Sequence, residues 1–301
     1  MFQLNAILDY VSYNGIFYLV NEPMHQHTTF QIGGPADIVV YPTRRRQICD
    51  LVRICREHNI PYQCLGNGSN VLVLDSGIRG LVIMTDRMQQ ISVSNDGTIE
   101  AQAGAPLARV CTHARNNRLT GLEFAFGIPG TLGGAVYMNA GAYNHEIAEV
   151  ITKTEYVDDL GNLCSITGDA HNFGYRTSFF KNTDFIIVKS TLQLAFGDES
   201  EIAERMKQYT TARKEKQPLE LPSAGSTFKR PEGYYAGKLI EDCGLKGYTV
   251  GGAQVSPKHA GFVVNIGGAT AKDVLSLMEH IQQQVQKTYG VNLEPEVKVI
   301  G

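Results

Sequence analysis

The chain has 301 residues, with 27 basic against 30 acidic side chains and a formal charge of −3. Near-neutrality argues against a large phosphate footprint, and so against nucleic acid as a partner. Hydrophobic residues at 43% and charged residues at 19% exclude a disordered chain, and the length suits about two domains that need neither disulfides nor a metal to fold. The 31 glycines exceed the usual share of ~7% and they cluster.

The stretch MFQLNAILDYVSYNGIFYLV carries Asp9 and no basic leader region, and reads as a short amphipathic helix rather than a secretion signal. Asp37–Tyr41 suits a strand bounded by Gly33-Gly34-Pro35 and Pro42. Thr43 is then placed to cap a helix whose apolar stripe is Ile48, Leu51, Val52 and Cys55; Asn59 and Pro61 stop it, and Tyr62–Leu65 returns as a strand. Two β-rich runs within 71–84 flank the turn Asp75-Ser76-Gly77, and 91–103 predicts a hairpin turning at Asn95-Asp96-Gly97. Pro106 opens a helix with the stripe Leu107, Val110, Cys111 and Ala114. Val150–Val157 and Phe185–Leu194 read as strands of one sheet, and Ile202, Met206 and Tyr209 mark a helix ending in Arg213-Lys214-Glu215-Lys216. Pro218–Pro222 reads as a linker. Thr270 with Asp273 starts a helix with the stripe Val274, Leu277, Met278, Ile281 and Val285, and Glu294–Ile300 is the last predicted strand.

Cys49, Cys55, Cys64, Cys111, Cys164 and Cys243 show no CxxC pair and no zinc spacing, and read as reduced, mostly core residues of a cytosolic protein. The eight histidines form no HExxH pattern, so no catalytic metal is expected. No apolar stretch reaches the ~18 residues of a membrane span.

Chemistry is signalled by two glycine loops. Gly66-Asn67-Gly68-Ser69-Asn70 follows a strand, where glycines let backbone amides approach an anion and the polar side chains add hydrogen bonds. Asp86 lies twenty residues on, but the third glycine of a dinucleotide fingerprint is missing and a strand follows instead of a helix. Alone, this segment is a weak signal that a plain turn would also give. Gly127-Ile128-Pro129-Gly130-Thr131-Leu132-Gly133-Gly134 then leads into a helical run, and such a junction offers amide groups and a favourable dipole to phosphate. Close backbone packing would use the same glycines. Two loops of this kind favour a diphosphate-bearing cofactor.

Three further segments stand out. Arg176 lies among Phe173, Tyr175, Phe179 and Phe180, where a guanidinium needs an aromatic face or a carboxylate. Ser226 sits in Ser223-Ala224-Gly225-Ser226, whose small residues would let a ligand approach; no GxSxG elbow surrounds it. Glu294 and Glu296, two apart on a strand, share a face.

Thr28-Thr29-Phe30 with Ile32-Gly33-Gly34, followed by the two glycine loops, resembles the FAD-binding region of vanillyl-alcohol-oxidase-type flavoproteins. Continued through Gly174-Tyr175-Arg176, Ala224-Gly225-Ser226 and Leu293-Glu294-Pro295-Glu296, the ordered series resembles the UDP-N-acetylenolpyruvoylglucosamine reductase (MurB) family over nearly the whole chain. The resemblance implies an α+β fold with FAD-binding subdomains at 1–88 and 89–209 and a C-terminal α/β substrate-binding lobe at 210–301, whose last strand, about 293–301, is expected to return to the FAD-binding part. It implies FAD held by Gly66, Asn67, Gly68, Ser69, Asn70, Gly127, Pro129, Gly130, Thr131, Gly133, Gly134 and Arg213, with NADPH as reductant. Arg176 and Glu296 would stabilise an enolate-like intermediate, Ser226 would donate a proton to the carbon that becomes Cα, and Tyr175, Lys216 and Lys229 would bind substrate. The implied activity is reduction of UDP-N-acetylglucosamine enolpyruvate to UDP-N-acetylmuramate by a cytoplasmic monomer. A flavin oxidase of the same fold, or a nucleotide-binding module without turnover, are the alternatives. Three departures stand out: Gln31 replaces the arginine of many members, Arg230 follows Lys229 where enterobacterial members have asparagine, and the fifty residues from Arg176 to Ser226 leave no room for the tyrosine-bearing insert of the longer branch.

Overall fold

Helix α1 (Asn5–Tyr13) buries Ile7 and Val11 and ends where Gly15 takes φ +61°. The computed structural model describes residues 4–301, so the part of the N-terminal helix reading that falls on residues 1–3 lies outside them. That stretch is not one helix, because β1 (Phe17–Pro23) follows the glycine. β2 (Pro35–Tyr41), α2 (Arg45–Glu57) and β3 (Tyr62–Leu65) come next, and Ile48, Leu51, Val52 and Cys55 of α2 are all buried. Thr43 does not cap this helix. Arg44 holds the N-cap position, and the Gln47 side chain reaches back to accept from the amides of Thr43 at 2.8 Å and Arg44 at 3.1 Å.

β4 (Val71–Val73) and β5 (Ile78–Met84) flank the expected turn but pair with different partners, β5 running parallel to β3. The hairpin β6 (Ile91–Val93) and β7 (Thr98–Gln102) turns at Gly97, φ +84°. Pro106 is the N-cap of α3 (Leu107–Asn116), whose whole expected stripe is buried. β8 (Leu119–Thr120) and α4 (Leu132–Met138) precede the small hairpin β9 (Gly141–Ala142) and β10 (His145–Glu146). β11 (Ile151–Val157), β12 (Leu163–Thr167), β13 (Ile186–Gln193) and β14 (Ala195–Phe196) lead to α5 (Glu199–Lys216). Then come α6 (Ala236–Asp242), β15 (Thr249–Val250), β16 (Ala253–Val255), β17 (Val263–Asn265), α7 (Ala271–Tyr289) and β18 (Lys298–Ile300). Thr270 caps α7 by accepting from the Asp273 amide at 3.1 Å. The last strand is shorter than the sequence suggests: Glu294–Val297 is irregular, and Pro295, lacking an N–H, makes only an isolated bridge with Phe228.

The chain divides into two units. The first holds residues up to 20, 37–67 and 79–212. It carries one sheet in the order β1-β2-β5-β3, whose β3 and β5 are parallel, and an antiparallel sheet in the order β12-β11-β13-β7-β6. One core gathers Ile38, Leu51, Leu81 and Ile83 with Val157 and Val188, and a second gathers Ile99, Leu107, Leu132, Val136, Phe180 and Leu192. The second unit holds 21–36, 68–78 and 213–301. Its core joins Phe30, Ile32 and Leu72 to Ile240, Val263, Leu277 and Ile281, beside the β15-β16-β17 sheet. The division differs from the expected three parts because Phe30, Ile32 and Leu72 bury their side chains among C-terminal residues, and because β18 pairs in parallel with β4.

All six cysteines are free, and three of them, Cys49, Cys55 and Cys111, are buried, so half rather than most belong to the core. Burial pushes the Cys55 thiol up to about 12.

Within the first unit, buried Glu123 accepts from Thr120 Oγ1 at 2.7 Å and the Gly121 amide at 2.8 Å, and Arg205 of α5 donates to it through Nε at 3.1 Å and Nη2 at 2.9 Å. Burial pushes this carboxyl upward, but those hydrogen bonds outweigh it and hold the group below its ordinary value. Its contribution is therefore complete above the ordinary carboxylate range and is lost as pH falls through the depressed value. Arg205→Ala is expected to cost about 2 kcal/mol at neutral pH, a deficit that narrows on acidification; urea unfolding across pH 3–7 checks both.

Candidate active site

Two glycines of the first loop are dictated by close approach. A Cβ on Gly66 would run into Thr131 Oγ1, and one on Gly68, already at φ +59°, would meet the His27 carbonyl. Gly66 thus rests directly against the second glycine loop, inside the first unit. The amides of Gly66, Asn67, Gly68 and Asn70 meet no acceptor among the described residues. Backbone donors left open in this way are completed by water or by a ligand.

The second loop uses its amides differently from the expectation. Thr131 caps α4, and the first amides of the helix are all taken: Leu132 donates to Ala105 O and Gly133 to Ala103 O, both at 2.9 Å, and Gly134 to Thr131 Oγ1 at 3.4 Å. The helix terminus is therefore closed to phosphate. Donors without an acceptor among the described residues lie just before it, at Gly127, Gly130 and Thr131. Two touching loops that present open amides, with glycine where a side chain would intrude, fit the diphosphate of FAD.

Arg176 belongs to the first unit and occupies an uncommon backbone state, φ +54°. It is the third residue of the turn Gly174–Thr177, closed by reciprocal bonds of 3.1 Å between Gly174 and Thr177. Its guanidinium donates to the Gly141 carbonyl at 3.1 Å and lies 5.0 Å from the ring centre of Tyr175, the aromatic face foreseen for it. Lys181 Nζ donates to the Arg176 carbonyl at 3.3 Å. Tyr175 is exposed.

The second unit assembles the remaining motifs. Thr29 donates its amide to Gly68 O at 3.3 Å and its hydroxyl to Ser223 O at 2.7 Å, so the 28–34 motif touches both the first glycine loop and the serine turn. Ser226 is exposed beside Gly225, which has φ +76° and open space where a Cβ would point. Glu296 is adjacent: its amide donates to Thr227 O at 2.9 Å, and its carbonyl accepts from Asn70 Nδ2 at 3.2 Å. Lys229 pairs with Glu294, which gives that carboxylate a partner within the second unit. At the end of α5, Arg213 Nε donates to Gln217 Oε1 at 2.8 Å, while Lys216 is exposed. Sequence reasoning passed over Asn139 and Lys181; the only signal for Asn139 was an asparagine at a helix end just ahead of Ala-Gly, the mark of a left-handed cap.

Residues 36–167 match an FAD binding domain, and residues 217–300 match the C-terminal domain of UDP-N-acetylenolpyruvoylglucosamine reductase. A UDP-N-acetylenolpyruvoylglucosamine reductase from Clostridium perfringens is 46% identical over 303 residues, covering 99% of each chain. The chain belongs to the UDP-N-acetylenolpyruvoylglucosamine reductase family. The crystal structure of the Thermus caldophilus member superposes with a TM-score of 0.80 at 36% identity, over 95% of this chain and 99% of that one. An Acremonium strictum glucooligosaccharide oxidase gives a TM-score of 0.51 at 12% identity over 98% of this chain and 60% of that one, a likeness of fold alone. Like the rest of the reductase family, the chain is an FAD-dependent oxidoreductase with the α+β fold of the vanillyl-alcohol-oxidase type. Among the described residues no helix is long and apolar enough to cross a membrane.

Gly68→Ala and Gly225→Ala both place alanine at positive φ, but only the first also drives a Cβ into backbone. Gly225→Ala is expected to cost about 1 kcal/mol and Gly68→Ala roughly 2 kcal/mol more, with FAD lost from the latter; thermal melts with flavin fluorescence check the order.

Proposed function

We propose that the protein reduces UDP-N-acetylglucosamine enolpyruvate to UDP-N-acetylmuramate with NADPH, in peptidoglycan precursor synthesis, and does so in the cytoplasm as a monomer without nucleic acid. The reading is carried by full-length identity to reductases of that name. Bound FAD, held by the open amides of both glycine loops, supplies the two-electron carrier between NADPH and substrate. Arg213 is the side chain assigned to the FAD pyrophosphate or the UDP group.

Reduction of the enolpyruvyl double bond adds a hydride to the terminal carbon and a proton to the other, and negative charge develops toward the substrate carboxylate in between. Arg176 supplies a fixed positive charge for that stage, held by Gly141 so that little reorganisation is needed. Glu296 assists it, with its backbone fastened at both amide and carbonyl. Ser226, exposed in a turn of small residues, delivers the proton and recovers one from water. Tyr175, Lys216 and Lys229 bind the substrate.

Anaerobic stopped-flow tests this reading. NADPH is expected to bleach the flavin, and the enolpyruvyl substrate to restore its colour promptly; a flavin that stays reduced until air enters would overturn it. Ser226→Ala is expected to keep the NADPH step and lose reoxidation by ~100-fold or more, and Arg176→Ala and Glu296→Ala to retain FAD, as absorbance spectra of the purified variants will show.

A further inference from the structure

Arg176 sits where turn chemistry prefers glycine or asparagine, since the third residue of such a turn needs φ > 0. A non-glycine residue in this state persists only where its surroundings over-determine it, and such strain collects at functional sites. Besides its own Gly174–Thr177 bonds and Lys181 on the Arg176 carbonyl, this turn is held by one fully buried side chain.

Asn139 is fully buried and is itself left-handed, φ +44°, at the C-cap of α4. Its Nδ2 donates to Gly174 O at 3.0 Å and to Glu146 Oε2 at 2.8 Å, and its Oδ1 accepts from the Ala148 amide at 3.0 Å. One carboxamide therefore ties the first residue of the arginine turn to the helix that follows the second glycine loop and to β10. Gly141, the carbonyl partner of Arg176, lies two residues beyond Asn139 on the same run. Asn139 thus bonds the turn backbone directly, and through Glu146, the strand partner of Gly141, it also bonds the hairpin that carries the acceptor of the guanidinium.

We propose that Asn139 is the positioning residue for Arg176: it holds the arginine turn in register with α4 and so fixes the guanidinium where charge develops on the substrate. The inference rests on the reductase reading for the role of Arg176. Asn139 touches neither substrate nor cofactor in this scheme and acts only through the turn. A displacement of about 1 Å in a group of this kind is enough to cost roughly 100-fold in rate.

Asn139→Gly is the informative substitution, because glycine accepts the left-handed backbone and only the carboxamide is lost. Holoenzyme carrying Asn139→Gly, Arg176→Ala or both would be followed by anaerobic stopped-flow, with NADPH reduction and substrate reoxidation read separately. FAD affinity would be read by titrating apoprotein fluorescence. Reoxidation is expected to fall roughly 10- to 100-fold, with NADPH reduction and FAD affinity within about twofold of the parent. In the Arg176→Ala background the Asn139→Gly change should add less than about twofold. Asn139→Asp, of the same size and still able to accept from Ala148, loses both donors and should show the same split if the glycine variant fails to accumulate. Equal losses in both half-reactions, weakened FAD binding, or additive losses in the double variant would overturn the inference. If the parent itself reoxidises only in air, the reductase reading fails and takes this inference with it.

Discussion

Position 66 has no space for a side chain, because Thr131 Oγ1 already occupies the volume a Cβ would need. Much of the first unit is arranged around approaches of this kind. A Cβ on Gly104 would enter the Thr85 carbonyl, and one on Gly133 would press on Ala103. These contacts bring glycine backbone against a hydroxyl, a carbonyl and a methyl group at the ends of β3, β5 and β7, where the loops that leave the sheets meet. At the glycines themselves the chain presents peptide groups where side chains would otherwise stand. Peptide groups that cannot bond each other stay available, and here they are the donors of Gly66, Asn67, Gly127, Gly130 and Thr131.

Thr131 shows how tightly the roles are shared. Its side chain serves the helix as cap, and the same oxygen forbids a side chain at position 66. Capping closes α4 to anions and moves the open donors one step back along the chain. The second unit has an equivalent economy in Asn70, whose side chain fastens the Glu296 carbonyl while its own carbonyl accepts from the Lys298 amide at 3.0 Å. The carboxylate is thereby held through its backbone by a residue of the first glycine loop.

Periodic and punctuated segments were readable without coordinates. The stripe and Thr270–Asp273 cap of α7, the Pro106 start of α3 and the Asn95–Gly97 turn each depend on residues within one or two turns of one another. Features that depend on distant partners were not. Nothing local in Phe30, Ile32 or Leu72 says that they belong in a core built from residues beyond 213. The 294–297 segment falls inside the strand the sequence predicts, yet Pro295 cannot donate and no ladder forms there. Ser226 and Glu296 could be named through the family resemblance, whereas their nearness follows from the Thr227–Glu296 bond, which no spacing encodes. The left-handed state of Arg176 was equally hidden, since arginine is a poor guide to positive φ.

The pairing of β18 with β4 joins Lys298 to Val71, 227 positions apart. At ribosomal speeds of about 5–20 residues per second, the earlier strand waits tens of seconds in the nascent chain without its strand partner. A loose β edge beside apolar Leu72 and Val73 is a place where unfinished chains stick to each other. The second unit is thus the slow partner in biogenesis, closing by a long-range step with a large loop entropy to overcome. Its dependence on holdase chaperones during translation should exceed that of the first unit, most of whose strand pairs are complete within the first two hundred residues.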